Sequence, residues 1–179
     1  MARRITLYID YKSPYAYLAK DPAYELAAEL GAELEWLPYT LHIPDFLGSA
    51  TLGPEGQVLA EQRTPHQWRR VRYSYMDARR YANLRGLTIR GPQKIWDSSR
   101  ASMGLLWVRR QGQQPLRRYH DLVFERFWKR ELDIEDPAAI EAVAREAGAE
   151  VSGLTDWMAG AGRAEHDRLV EVLRDVRRV

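Results

Sequence analysis

Residues 5–19 read Ile-Thr-Leu-Tyr-Ile-Asp-Tyr-Lys-Ser-Pro-Tyr-Ala-Tyr-Leu-Ala, and this stretch decides the fold. Apolar residues at every second position from Ile5 to Ile9 predict a β-strand. Ser13 and Pro14 then have the pattern of a helix N-cap and a first helical position. Because the first N–H groups of a helix attract negative charge, this turn places the Ser13 hydroxyl where an anion or a thiolate would be stabilised. The alternative is that Ser13 is only a cap.

The next residues extend this start into a βαβ unit. We expect a helix over 14–30, with Gly31 as its stop, and a second strand over 33–39, where Leu34 and Trp36 alternate with glutamates. A strand, a helix and a second strand joined by short connections form a βαβ unit. We therefore expect the two strands to pair in parallel, with a right-handed crossover.

The remainder of the chain is predicted to be a loop followed by helices. Residues 43–62 contain three glycines and two prolines and are interpreted as a loop. No strand pattern is found after Tyr39, except for a few residues at 87–89. Helix starts are expected near Thr64, Asp97 or Ser98, Pro115, Asp136, Thr155 and Ala164.

The turn Ser13-Pro14-Tyr15-Ala16, and the element 35–41 with its Pro-Tyr-Thr-Leu ending, resemble a known family. They are similar to the 2-hydroxychromene-2-carboxylate isomerase and kappa-class glutathione transferase branch of the DsbA-like thioredoxin-fold proteins. The resemblance implies an α/β thioredoxin-like fold with an all-helical insertion. We therefore divide the chain into a thioredoxin-like start (1–41), a loop and helical insertion (42–163) and a final helix leading back to the core (164–179).

The resemblance also implies an activity. In that family the serine hydroxyl hydrogen-bonds the sulfur of glutathione, so the expected function is a glutathione-dependent isomerase or transferase for a small aromatic, carboxylated substrate. Ser13 is the expected catalytic residue, and Ser13, Pro14 and Tyr15 are the expected glutathione-binding residues. DsbA-like oxidoreductases have Cys-x-x-Cys at these four positions, whereas this chain has no cysteine. A dithiol redox function is therefore excluded for this chain alone.

Three further residues are candidates for substrate binding. Tyr11 precedes Ser13 and could line a pocket with its ring. His42 lies just past the second strand, at the sheet edge where open α/β folds bind ligands, and could be a general base or simply a loop histidine. Arg79 belongs to a basic, aromatic helix and could hold a carboxylate through its guanidinium.

Composition restricts the remaining classes. A net charge of +2 does not require a polyanionic partner, and the arginines after residue 63 do not form one stripe, so we expect a solvated helix and no nucleic acid. The four histidines lack metal-ligand spacing, so no metal is expected. The N-terminus lacks a signal-like apolar run and no stretch resembles a membrane span, which predicts a cytoplasmic protein.

Two departures from the family support an alternative function. No Asn occurs between Ser13 and Tyr81, where the isomerases hold the glutathione backbone with asparagines. After the last predicted helix the family continues into a strand with a cis-proline, whereas this sequence stops at Val179. We expect either a truncated chain or a sheet completed by a partner, with homodimerisation or poor stability as the consequence. The alternative function is a non-catalytic thioredoxin-like module that binds a peptide or a protein.

Overall fold

The computed structural model describes residues 3–53, 55 and 57–176. Strands β1 (Arg3–Ile9) and β2 (Ala32–Pro38) flank helix α1 (Pro14–Leu30). A short helix α2 (Pro44–Leu47) and strands β3 (Ala50–Leu52) and β4 (Val58–Glu61) follow. The remaining helices are α3 (Pro65–Leu84), α4 (Ser99–Val108), α5 (Gln113–Trp128), α6 (Pro137–Glu146), α7 (Leu154–Ala159) and α8 (Ala161–Val176), with a 3-10 turn at Arg109–Gln111 after α4.

The βαβ start is confirmed in detail. β1 and β2 pair in parallel, from Arg3 opposite Ala32 to Ile9 opposite Pro38. Alternate residues of β2 are buried, as the apolar spacing predicts. Helix α1 runs without interruption through Pro22 and ends at Gly31, whose φ of 58° is a left-handed cap that glycine adopts without strain.

The interpretation of residues 43–62 as a loop is wrong. This segment contains α2 and an antiparallel hairpin of β3 and β4, closed where the Gly53 amide donates to the Gln57 carbonyl at 2.8 Å. Every residue of β4 is exposed, so the hairpin leaves no alternating apolar pattern in the sequence. The expected strand at 87–89 is also absent: residues 87–90 have no ladder partner, although the Arg90 amide donates to the Trp128 carbonyl at 2.9 Å.

Helix α4 is the most deeply buried helix of the described chain. Eight of its ten residues are buried, and α5, α6, α7 and α8 pack around it. Gly104 permits the closest approach, because the Tyr119 hydroxyl occupies the space a Cβ would need while it donates to the Ala101 carbonyl at 2.9 Å.

The βαβ unit and the helices share one core. Tyr11 and Tyr17 from the start of the chain pack against Phe124 of α5, with ring centroids 4.8 and 5.4 Å away. Trp36 of β2 lies 4.9 Å from the ring of His120. The expected α/β class with a helical segment is confirmed, and the exact boundaries at 41/42 and 163/164 stay a prediction.

Candidate functional site

The turn between β1 and α1 is fixed by the buried carboxylate of Asp10. Its side chain has no exposed surface and lies 3.5 Å from the Lys12 ammonium. One carboxylate oxygen accepts from the Lys12 amide at 3.1 Å, and the other accepts from the Leu41 amide at 2.7 Å. Because Leu41 follows β2, this single carboxylate ties the ends of both parallel strands together next to Ser13.

Ser13 stands at the positive end of α1 as the sequence predicts. Its amide donates to the Asp10 carbonyl at 2.9 Å, and its Oγ accepts from the Ala16 amide at 3.3 Å. The side chain is half-buried. Within the described part of the chain, no group accepts the Ser13 hydroxyl hydrogen. That hydrogen therefore remains available to an incoming acceptor such as a thiolate.

A cavity of about 360 Å³, here called the aromatic cavity, is lined by Lys12, the residue directly before Ser13. Among the described residues that line it there is no carboxylate. Its walls combine four aromatic and five cationic side chains: Trp68, Tyr75, Trp96 and Phe127, with Lys12, Arg63, Arg72, Arg79 and Lys94. Such a lining favours a flat apolar ligand that carries a negative charge.

Most of the cations of the aromatic cavity are already engaged. The Arg63 Nε donates to the Leu47 carbonyl at 2.8 Å, and its guanidinium lies 4.9 Å from the Trp68 ring centroid. Burial lowers the pKa of Arg63. Lys94 donates to Glu135 at 2.6 Å. Neither Arg72 nor Arg79 has a hydrogen bond or ion pair with any residue that the structure describes, but the Arg72 guanidinium lies 5.7 Å from the Trp68 ring centroid. Arg79 has no such ring contact, so it is the candidate to bind a carboxylate.

A second cavity of about 580 Å³, here called the polar cavity, shares the wall formed by Lys12, Ile43, Ile95 and Trp96. Thr40, His42, Asp97, His166 and Asp167 also line it. Burial alone would raise the pKa of the Asp97 carboxyl, but hydrogen bonds from Ser99 and the positive charge of Lys12 hold that pKa below its ordinary value. The lining of the polar cavity therefore includes carboxylates, whereas the described lining of the aromatic cavity has only cationic charges.

Comparisons with known proteins agree with this architecture. A model of the family described as DSBA-like thioredoxin domain matches residues 4–168. The chain belongs to the DSBA-like thioredoxin domain family. The solved structure of a selenomethionine 2-hydroxychromene-2-carboxylate isomerase is similar in fold, with a TM-score of 0.69 at 20% identity, covering 98% of this chain and 81% of that chain. No curated protein matches the sequence.

Membership of the DSBA-like family confirms the thioredoxin-like fold, and the structure shows where the candidate residues lie. Arg79 lines the aromatic cavity and His42 lines the polar cavity. The exposed His42 ring lies 2.7 Å from the Asp45 carboxylate. Ser13 and Pro14 are half-buried beside Lys12 but line neither cavity themselves.

The two tyrosines beside Ser13 have structural contacts. Tyr11 is 1% exposed, and its hydroxyl lies 3.0 Å from the His120 Nδ1. It is a core residue, so the prediction that its ring lines a pocket is wrong. Tyr15 is 43% exposed and lines neither cavity. Its hydroxyl donates to the Asp77 carboxylate at 2.9 Å, which joins α1 to α3.

Sequence reasoning missed Asp10, whose carboxylate organises the turn, and Lys12, which lines both cavities. The available signal was an acid and a base within three positions of Ser13, directly after a strand. The hydrogen bond from the Leu41 amide to Asp10 depends on the tertiary structure. Across the described residues, no helix combines the length and apolar character needed to cross a membrane, and no cluster of side chains suits a metal ion.

Proposed function

We propose that this protein is a glutathione-dependent isomerase or transferase for a small aromatic carboxylate. The observation that carries the proposal is the Ser13 hydroxyl, whose hydrogen has no acceptor among the described residues, at the N-terminus of α1 and directly after Lys12, which lines the cationic aromatic cavity. Ser13 is half-buried, so a ligand at this turn has access from the solvent side.

Ser13 would hold the sulfur of glutathione. A hydroxyl donor and the positive end of a 17-residue helix both favour a thiolate over a thiol and lower its pKa. Pro14 leaves the first helical position without an N–H, and the Ala16 and Tyr17 amides already donate to Ser13, so the Tyr15 amide and the Ser13 hydroxyl would form the donor set. When bound, glutathione supplies a nucleophilic sulfur that adds reversibly to a conjugated carbon of the substrate, where the resulting single bond can rotate.

The aromatic cavity would hold the second substrate. Aromatic walls from Trp68 and Trp96 suit a flat ring, and the guanidinium of Arg79 suits a carboxylate because it donates two parallel hydrogen bonds. Lys12 lines this cavity and directly precedes Ser13 in the chain. Its ammonium would therefore face the negative charge that develops on the substrate during attack.

Calorimetry with two ligands tests the role of Ser13. We expect glutathione to bind, and Ser13→Ala to weaken its affinity by at least about tenfold, since a hydrogen bond to a charged group contributes about 1.5–3 kcal/mol. S-methylglutathione cannot form a thiolate, so its affinity should change little in the same variant. Asp136→Ala is the matched control, because it removes the N-cap of α6, which lines neither cavity.

The outcomes separate the parts of the proposal. No binding of glutathione by the unaltered protein would overturn glutathione dependence. Equal losses for glutathione and S-methylglutathione in Ser13→Ala would remove the thiolate role and leave only a cap that supports the turn.

A second titration tests the substrate site. We expect Arg79→Gln to weaken 2-naphthoate by about tenfold and to leave the uncharged 2-naphthamide unchanged. Arg80→Gln removes the same charge from the next position of α3, which does not line the aromatic cavity, and should affect neither ligand. Equal effects of the two variants would contradict a specific carboxylate contact.

One observation favours a second candidate, a non-catalytic module that binds a peptide. Ser13 lines neither cavity, so its hydroxyl could serve only as a cap while the cavities receive side chains of a partner. Failure of glutathione binding together with retained 2-naphthoate binding would favour this candidate.

A further inference from the structure

The polar cavity contains three side chains in the order of a nucleophile, a base and an orienting acid. The His166 Nε2 lies 2.7 Å from the Thr40 Oγ1, and the His166 Nδ1 lies 3.1 Å from an Asp167 carboxylate oxygen. All three residues line the polar cavity. They come from two distant places in the chain, the segment that follows β2 and helix α8.

The charge of Asp167 determines which way this chain of hydrogen bonds runs. An ionised carboxylate only accepts, so it selects the tautomer of His166 with hydrogen on Nδ1. The Nε2 is then an acceptor for the Thr40 hydroxyl hydrogen. His166 is 3% exposed, and such burial holds the ring in one orientation. The Thr40 oxygen keeps two lone pairs; one can accept from the Ser102 hydroxyl 3.5 Å away, and the other remains for a ligand in the cavity.

We propose that Thr40, His166 and Asp167 form an acyl-transfer site for small esters, separate from Ser13. The Thr40 oxygen bonds to the acyl carbon of the ester, and the bond from that carbon to the leaving alcohol breaks. His166 takes the hydroxyl proton and gives it to the departing oxygen. Water then attacks the acyl-threonine, His166 takes its proton, and Thr40 leaves with that proton restored.

The surroundings of Thr40 suit this chemistry. Lys12 lines the same cavity, and its ammonium would stabilise negative charge on the acyl oxygen. Ile43, Ile95 and Trp96 give the cavity an apolar side for the organic part of an ester. Two other hydroxyls lie near the site. Ser102, 3.5 Å from the Thr40 oxygen, is fully buried and does not line the polar cavity, and Ser99 lines it but donates its hydroxyl to Asp97.

Reaction with p-nitrophenyl acetate, without glutathione, tests the site. We expect an acetyl group on Thr40 in peptide mass spectra and a burst of p-nitrophenol. Thr40→Val, which keeps the shape but removes the hydroxyl, should abolish both, and Thr40→Ser should retain both. His166→Gln should slow acetylation by at least about 100-fold, the smaller end of what a general base contributes.

The p-nitrophenyl acetate reaction also has a control variant and results that would contradict the site. His66→Gln removes an exposed histidine of α3 that lines neither cavity, and should leave the burst unchanged. Acetylation of Lys12 or His166 instead of Thr40, or no adduct at all, would overturn the proposal. Since the assay needs no glutathione, its result is independent of the function proposed for Ser13, and the Thr40 pair decides it even if His166→Gln does not fold.

Discussion

Replacement of Asp10 by Asn should destabilise the protein by about 3 kcal/mol, because this carboxylate has three partners and no exposed surface. An amide of the same size has one acceptor oxygen in place of two. Its NH₂ group would face the amide of either Lys12 or Leu41, which now donate at 3.1 and 2.7 Å.

The magnitude follows from two losses. One charge-assisted hydrogen bond to a buried carboxylate contributes about 1.5–3 kcal/mol. The Lys12 side chain is 8% exposed, so without its counter-ion it either stays unpaired or turns toward solvent, at a further cost of about 1 kcal/mol. For a chain of this size, 1 kcal/mol corresponds to about 2–4 °C, so the Tm should fall by about 6–12 °C.

Urea unfolding and calorimetry measure this change, and two variants serve as comparisons. Asp45→Asn removes an acid that is 63% exposed and paired with His42, and should cost at most about 1 kcal/mol. The double replacement Asp10→Asn with Lys12→Met removes the unpaired charge and should recover part of the loss. A change for Asp10→Asn no larger than that for Asp45→Asn would refute the inference that the buried carboxylate holds the turn.

Three other predictions concern acid, packing and assembly. Burial and the charge of Lys20 lower the pKa of His120 to about 3, so the unfolded chain takes up the proton first as pH falls. The free energy of unfolding should then decrease by up to about 1.4 kcal/mol per pH unit between pH 6.5 and 3. Urea titrations of His120→Leu should lack this pH dependence. An unchanged pH dependence in that variant would contradict its assignment to His120. Gly104→Ala should lose about 1–3 kcal/mol in thermal melts, because its Cβ would clash with the Tyr119 hydroxyl. Gly91→Ala, whose Cβ would meet only the Arg79 side chain at 3.5 Å, should lose little. Within the described residues β1 pairs only with β2, so we propose a homodimer that forms at the unpaired edge of β1. Sedimentation should give twice the mass of 20.8 kDa. A stable monomer would contradict this proposal.

The elements that the sequence predicted are those with local causes. The end of α1 needs a left-handed residue and has Gly31, and the start of α3 has the capping box of Thr64 and Gln67. The hairpin of β3 and β4 was missed because its strands are short and β4 is wholly exposed, so no burial pattern marks them. Tyr11 was misread for a related reason: a tyrosine in a turn does not reveal that α5 will cover it.

Local sequence determined the strand, the turn, the Ser13 cap and the helix that follows, since each depends on residues within a few positions of one another. Tertiary structure alone decided which distant groups meet: the Leu41 amide on Asp10, Thr40 on His166, and Arg79 in the wall of the aromatic cavity. The physical reason is that cavities and long-range hydrogen bonds depend on how helices pack, and side-chain spacing along one segment carries no record of its neighbours in space.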